Sequence, residues 1–150
     1  MHWPILLCVA AIAVGCAPAE EQPAQNPPAA AATVSLTDLA GAWTVTATAG
    51  SSDSVLITYE LNATATAEGW TSTLPGGEPI PVRVVLVDGD SVVAEAGPFE
   101  SALRPGVMVT TRTVARLQGD MLTGTVVAHY GTDGADSVLT GRLHGMRKTQ

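Results

Sequence analysis

The sequence predicts an all-β domain, an eight-stranded antiparallel up-and-down barrel. The chain of 150 residues is only 14% charged and is rich in Thr, Val, Gly and Ala. Thr and Val are stiff at their first side-chain torsion and suit pleated strands. Beyond residue 40, apolar and polar residues alternate in segments separated by Gly- and Asp-containing turns, and no segment keeps a helical period. This alternation is typical of half-buried strands.

A single helical turn over 36–40 precedes the strands. Connections such as Asp88-Gly89-Asp90, Gly119-Asp120 and Asp133-Gly134 carry Gly where a hairpin needs positive φ. The strands predicted between these turns cover residues 41–49, 55–66, 69–74, 81–88, 91–96, 107–117, 121–130 and 136–147.

The turns also predict the register of the last three strands. With Gly119-Asp120 as a two-residue turn, Leu117 pairs with Leu122, and the next turn pairs Ala128 with Leu139. One face of the three strands is then small and apolar, as a buried face requires. The opposite face collects polar residues: Arg112, Arg116, Thr123, Thr125, His129, Thr140, Arg142 and His144.

A three-residue loop predicts the register of the fourth and fifth strands. It places Arg83 opposite Glu95, an attractive cross-strand pair. The same register stacks one apolar set against another: Val82, Val84 and Leu86 against Val92, Ala94 and Ala96.

Short connections between eight sequential strands favour closure, which removes exposed edges. A membrane-spanning barrel would need an apolar outer band with aromatic girdles, and the polar outer face excludes it. An eight-stranded interior is filled by side chains or holds one small ligand. Two interpretations stay open, a lumen for an apolar ligand or a narrow, filled barrel. Both are compatible with the small residues that face inward, which are Ala115, Gly124, Ala128, Gly141 and Gly145.

Gly41-Ala42-Trp43, at the start of the first strand, resembles the Gly-x-Trp of lipocalins and their calycin relatives. In those barrels the tryptophan packs near a basic residue from the last strand, which the resemblance assigns to Arg147. The other conserved segments and the C-terminal helix of lipocalins are missing. The resemblance therefore implies a lipocalin-like architecture rather than membership.

An uncharged apolar run over residues 5–15 ends at Cys16. The run is too short to span a bilayer and has the length of a signal-peptide core. Ala13-Val14-Gly15-Cys16 resembles the bacterial lipobox, which implies cleavage before Cys16 and acylation of that cysteine, with a membrane as partner. The alternative is an ordinary secretory signal with a cysteine near its cleavage site. Ala17, by resemblance to the sorting rule of enteric bacteria, implies the periplasmic face of the outer membrane.

Residues 17–33 hold four prolines, seven alanines and no large apolar residue. Such a segment buries too little surface to offset its ordering entropy, so we expect a disordered tether. The predicted organisation is a signal peptide at 1–15, lipidated Cys16 and a Pro/Ala-rich linker at 16–34, and a barrel domain at 35–150.

Charge and motif content exclude several functions. The net charge is −7 with no basic stripe, which argues against nucleic acid as a partner. Cys8 and Cys16 both precede the domain, which therefore has no cysteine for a disulfide or zinc site. No catalytic motif occurs, and the register separates His129 from His144 by about 20 Å at ~3.3 Å per residue. We expect no enzyme, no cofactor and no metal.

The leading hypothesis is a non-enzymatic, membrane-tethered binding domain of the cell envelope, holding a small apolar ligand or an envelope protein. The second is an interaction or inhibitor module that acts through its loops, and an enzyme ranks last. The partner-binding candidates are Phe99 and Arg104, in a stretch over 97–106 that could cover a barrel mouth. The ligand-binding candidates are the aromatic residues and one arginine: Trp43, Tyr59, Trp70, Tyr130 and Arg147.

Overall fold

A computed structural model describes residues 33–149. The predicted signal peptide, Cys16 and nearly all of the linker lie outside these residues and stay predictions. Within the described part, one helical turn, α1 (Leu36–Leu39), precedes eight strands and a 3₁₀ turn at Ala135–Ser137. The strands are β1 (Gly41–Ala49), β2 (Val55–Ala63), β3 (Trp70–Thr73), β4 (Pro79–Asp88), β5 (Ser91–Glu100), β6 (Met108–Gln118), β7 (Met121–Tyr130) and β8 (Val138–Arg147).

Each strand pairs with the next, and β1 also pairs with β8, so the sheet closes into an antiparallel up-and-down barrel. The predicted fold class is confirmed. β1 and β7 have the predicted bounds, whereas β2 stops three residues early. The Thr64 hydroxyl donates to the carbonyl oxygen of Glu68, which folds residues 64–69 into a compact connection.

The predicted register of the last three strands is confirmed. Leu117 lies opposite Leu122, and Ala128 lies opposite Leu139. The predicted pair of Arg83 and Glu95 also forms, with 2.6 Å between Nη2 and Oε2. The Gly119-Asp120 turn is the predicted two-residue turn, whereas the predicted two-residue turn at Asp133-Gly134 is wrong, because residues 131–137 connect β7 to β8. The predicted register of β8 is nevertheless the observed one, since it buries the apolar face of the strand.

The predicted stacking of Leu86 on Val92 is wrong. A β-bulge between Val84 and Leu86 places Leu86 opposite Val93, and the Leu86 side chain is 51% exposed. The bulge inserts one residue on β4 only, which reverses the direction of every side chain beyond it. The turn accordingly contains two residues, Gly89 and Asp90, instead of three.

The stretch predicted as irregular over 97–106 belongs in part to β5. A register shift between Ala96 and Phe99 lets β5 continue to Glu100, so that Phe99 pairs with Val109. At the other end of the chain, β8 begins at Val138 because the 3₁₀ turn takes up residues 135–137.

The two barrel ends differ. We call the end that carries α1, the 64–69 connection and the turns at 89–90 and 119–120 the closed end. The opposite end, formed by residues 50–54, 74–78, 101–107 and 131–137, is the loop end. Ser35 and Asp38 cap α1 reciprocally, which places Leu39 in the core at the closed end. None of the helices within residues 33–149 has the length and hydropathy needed to cross a membrane.

Candidate ligand-binding cavity

The barrel interior holds an apolar cavity of about 150 Å³. Four aromatic residues line it, Tyr59, Trp70, Phe99 and Tyr130. Its remaining walls are mainly aliphatic side chains that alternation turns inward, including Leu61, Val82, Val109, Leu122, Val126 and Leu139. The cavity arises because the strands contribute many small inward residues around a few large ones.

The cavity opens toward the loop end. At the closed end its floor is made of buried residues, among them Leu39, Trp70 and Leu122. Toward the loop end the lining residues Leu56 and Phe99 are only half-buried, and Leu103 is 40% exposed. A molecule would therefore enter between the connections of the loop end.

The connection at 101–107 is fastened across this mouth. The buried Ser101 hydroxyl oxygen accepts from the backbone N–H groups of Leu103 and Arg104, at 3.1 Å each. The Arg104 guanidinium lies 4.0 Å from the Tyr130 ring centroid and donates to the Asp136 carbonyl oxygen at 2.6 Å. Arg104 thereby ties this connection to the β7–β8 connection, through a cation–π contact and a hydrogen bond.

Of the five small inward residues that the sequence predicts, Ala115, Ala128 and Gly141 line the cavity, whereas Gly124 and Gly145 do not. The short side chains of the lining contribute to the cavity volume. At Gly124 and Gly145 a Cβ atom would meet neighbouring atoms at 2.1 Å and 3.1 Å, respectively. The sequence left two interpretations open, a lumen for a ligand and a narrow, filled barrel. The lumen describes the part of the interior that holds the cavity, and the filled barrel describes the part around Gly124 and Gly145.

The predicted ligand residues also separate. Tyr59, Trp70 and Tyr130 line the cavity, whereas Trp43 and Arg147 do not. Trp43 is completely buried and donates its indole N–H to the Leu39 carbonyl oxygen at 2.8 Å. Arg147 lies 4.2 Å from the Trp43 ring centroid and donates to the Asp38 carbonyl oxygen at 2.6 Å. These two residues seal the closed end.

The predicted partner residues are engaged within the domain. Phe99 lines the cavity, and Arg104 is occupied by Tyr130 and Asp136. Neither of these two side chains extends from the loop end as an unoccupied contact residue.

Several hydroxyl groups that sequence reasoning did not select also line the cavity: Ser72, Thr111 and Thr113. Their inward position follows from the two-residue alternation of side chains along the strands. That alternation is the sequence signal that identifies them. Glu95 is the one charged residue of the lining, and its carboxylate is bonded to Arg83 and Arg112. The lining thus combines apolar surface with hydroxyl groups and one carboxylate, which is already paired with two arginines.

Burial raises the pKa of the Tyr59 phenol from its ordinary 10.0 to about 12. The native state then holds this proton more tightly than the unfolded chain. The resulting stabilisation is complete below pH 10 and is lost as the pH rises through about 12.

We expect the free energy of unfolding to fall by about 2–3 kcal/mol more in the parent protein than in Tyr59→Phe between pH 9 and pH 12. Urea unfolding at a series of pH values measures the difference. Equal pH dependence in the two proteins would contradict a desolvated phenol.

The histidines and acidic residues of the described part of the chain form no comparable site. His144 lies opposite Thr123, and His129 lies opposite Thr110, both on the exposed outer face. Among residues 33–149 no group of three side chains is placed to hold a metal ion.

The arrangement can offer apolar contact and a few hydroxyl donors or acceptors to a molecule inside the barrel. Apolar burial supplies most of the affinity in such pockets, and sparse polar groups determine orientation. Comparison of the chain with protein-family models, curated protein sequences and solved structures gave no match.

Proposed function

We propose that the protein is a non-enzymatic binding domain whose barrel holds one small apolar molecule. The observation that carries the proposal is the apolar cavity of about 150 Å³, whose lining is buried toward the closed end and partly exposed toward the loop end. An apolar cavity of roughly this size accommodates a molecule such as benzene. Pockets for drug-sized ligands are larger, about 300–1,000 Å³, so the proposed ligand is small.

The proposed location is the cell envelope, with the chain anchored through acylated Cys16. The lipobox resemblance supports the anchor, and the Gly41-Ala42-Trp43 resemblance supports a lipocalin-like use of the barrel. Val34 donates its backbone N–H to the Gly89 carbonyl oxygen, so the described chain enters at the closed end. An N-terminal anchor would then attach opposite the mouth of the cavity and leave the mouth accessible.

The experiment is to express the full chain in a bacterial host, incubate it with an envelope lipid extract and analyse it by mass spectrometry. Intact mass under native conditions is expected to report one bound small molecule, and denatured mass the acyl groups on Cys16. Protein that repeatedly carries nothing from the extract would contradict ligand binding. An unmodified Cys16 would contradict the anchor.

Ala128→Leu is expected to reduce binding of the recovered molecule at least tenfold, because Ala128 lines the cavity and a leucine there occupies the ligand's space. Val127→Leu is the matched control, since Val127 is the neighbouring residue on β7 and is not part of the lining. Isothermal titration calorimetry measures both affinities. Equal affinities in the two variants would place the ligand outside the barrel.

A further inference from the structure

We propose that the connection over residues 101–107 is a lid on the cavity and that Arg104 is its latch, which controls how fast a ligand enters and leaves. This inference rests on the proposed function and adds the control of access to it. The rate of ligand exchange is assigned to one arginine at the loop end, and the affinity is left to the apolar walls.

The connection at 101–107 forms part of the cavity wall at the loop end. It contributes three lining residues, Ser101, Ala102 and Leu103. Of the other connections at this end, residues 50–54 and 131–137 contribute none, and residues 74–78 contribute only Leu74. Leu103 is also 40% exposed, so the connection lies between the cavity and the solvent. A ligand that enters from the loop end therefore passes it.

The hydrogen bonds of this connection brace it as one unit. The Ser101 N–H donates to the Val107 carbonyl oxygen at 2.9 Å, and the Val107 N–H donates to that of Arg104 at 3.1 Å. The Ser101 hydroxyl oxygen accepts from two backbone N–H groups inside the connection. The carboxylate of the adjacent Glu100 accepts from the Gly106 N–H at 2.9 Å. All of these bonds close within residues 100–107.

Arg104 makes the one hydrogen bond that joins this unit to another connection within residues 33–149. Its guanidinium donates to the Asp136 carbonyl oxygen and lies against the Tyr130 ring, on the β7–β8 side of the mouth. Both contacts break when the connection moves away from that side. A braced unit that is attached at its strand ends and held across the mouth by one side chain has the design of a lid, and such loops gate access to binding sites.

The position of Arg104 predicts a specific kinetic effect. Arg104 is not a lining residue, so its loss leaves the cavity walls unchanged. Because its two contacts exist only while the lid is closed, their loss raises the open population of the free and the occupied protein by the same factor. Entry and exit then accelerate equally, and the dissociation constant, which is the ratio of the two rate constants, stays the same.

The test uses the full chain with fluorobenzene, a probe close in size to the benzene that such a cavity accommodates. Fluorine NMR over a titration gives the exchange rates and the dissociation constant for the parent, Arg104→Gln and Arg142→Gln. Arg142 is the matched control, since it also ties a connection at the loop end. It donates to the Ser52 carbonyl oxygen at 3.2 Å and to the Asp53 carboxylate at 2.7 Å, and that connection contributes no lining residue.

Arg104→Gln is expected to exchange fluorobenzene about 5- to 50-fold faster than the parent, with a dissociation constant unchanged within about twofold. This factor corresponds to the loss of one cation–π contact and one charge-assisted hydrogen bond near the surface. Arg142→Gln is expected to keep the parent's rates. Equal acceleration in both variants, no acceleration in Arg104→Gln, or a change in affinity without faster entry would overturn the latch.

Relaxation-dispersion NMR of the ligand-free protein tests the lid without a probe. The amide groups of residues 102–106 are expected to report a larger open population in Arg104→Gln than in the parent, and an equal population would overturn the lid. If Arg104→Gln does not fold, Arg104→Lys, which keeps a cation near the Tyr130 ring, replaces it, with a smaller increase expected. Failure of fluorobenzene to bind the parent would contradict the proposed function, whereas the dispersion measurement would still decide the lid.

Discussion

Trp43→Ala is expected to lower the free energy of unfolding by about 3–5 kcal/mol, the usual cost of truncating a fully buried large aromatic residue. Trp43 is 0% exposed and belongs to the main core cluster with Leu39 and Val45. Truncation would also leave the Leu39 carbonyl without its indole donor and Arg147 without the ring beneath it. Because a domain of this size is stabilised by roughly 5–15 kcal/mol, the loss is a large part of the total.

Two milder variants separate the contributions at the closed end. Trp43→Phe keeps a ring but removes the indole N–H, so its expected cost is intermediate, about 1–3 kcal/mol. Arg147→Ala removes only the exposed cation–π partner and its hydrogen bonds to α1, and we expect about 1 kcal/mol. Urea unfolding followed by tryptophan fluorescence gives all three values. A cost for Arg147→Ala equal to that of Trp43→Ala would contradict a core role for the indole.

Gly124→Ala is expected to destabilise the domain by about 3 kcal/mol or more and to lower its Tm by about 10 °C. A Cβ atom at Gly124 would lie 2.1 Å from the Val114 carbonyl oxygen and 2.9 Å from Ala115 Cα. Both are backbone atoms of the paired strand β6, which cannot rotate away as a side chain could. The substitution must therefore push β7 from β6 or distort both strands.

Gly131→Ala is the control for Gly124→Ala. A Cβ at Gly131 would meet the Met108 carbonyl oxygen at 3.6 Å, which is ordinary van der Waals contact. Replacing glycine with alanine where the backbone permits it stabilises proteins by about 0.4–1 kcal/mol, through the unfolded chain. The two substitutions thus have opposite expected signs, and thermal unfolding by circular dichroism distinguishes them. A Gly124→Ala protein as stable as the parent would rule out the close approach of the strands.

Local patterns were enough to predict the pairing of β6, β7 and β8. Leu122, Gly124, Val126 and Ala128 occupy every second position of β7, and the observed register places all four on the inner face, opposite small or apolar residues. The same reasoning failed at Leu86. One additional residue in a β-bulge reverses the direction of the side chains that follow, and the sequence pattern of apolar and polar residues does not show where the bulge lies. Val85 is as apolar as its neighbours, so nothing local identifies it as the bulged residue.

The candidate site was predictable only in part. The aromatic residues named as ligand candidates include Tyr59, Trp70 and Tyr130, and all three line the cavity. Alternation could not distinguish them from Trp43, which is also inward but is used to seal the closed end. The role of Trp43 depends on its contacts with Leu39 of α1 and Arg147 of β8. Arg147 is distant from Trp43 along the chain, so the local sequence does not show this contact.

The amino-acid order alone determined the number of strands, their sequential antiparallel pairing and the face that each of the last three strands buries, since these depend on turns and a two-residue period. Only the closed barrel decided where the interior is filled and where it is hollow. Closure brings Leu39, Trp43 and Arg147 together at one end and leaves a cavity, lined by Tyr59 among others, in the rest of the interior. Packing of that kind is a sum over contacts from all eight strands, so no single segment carries it.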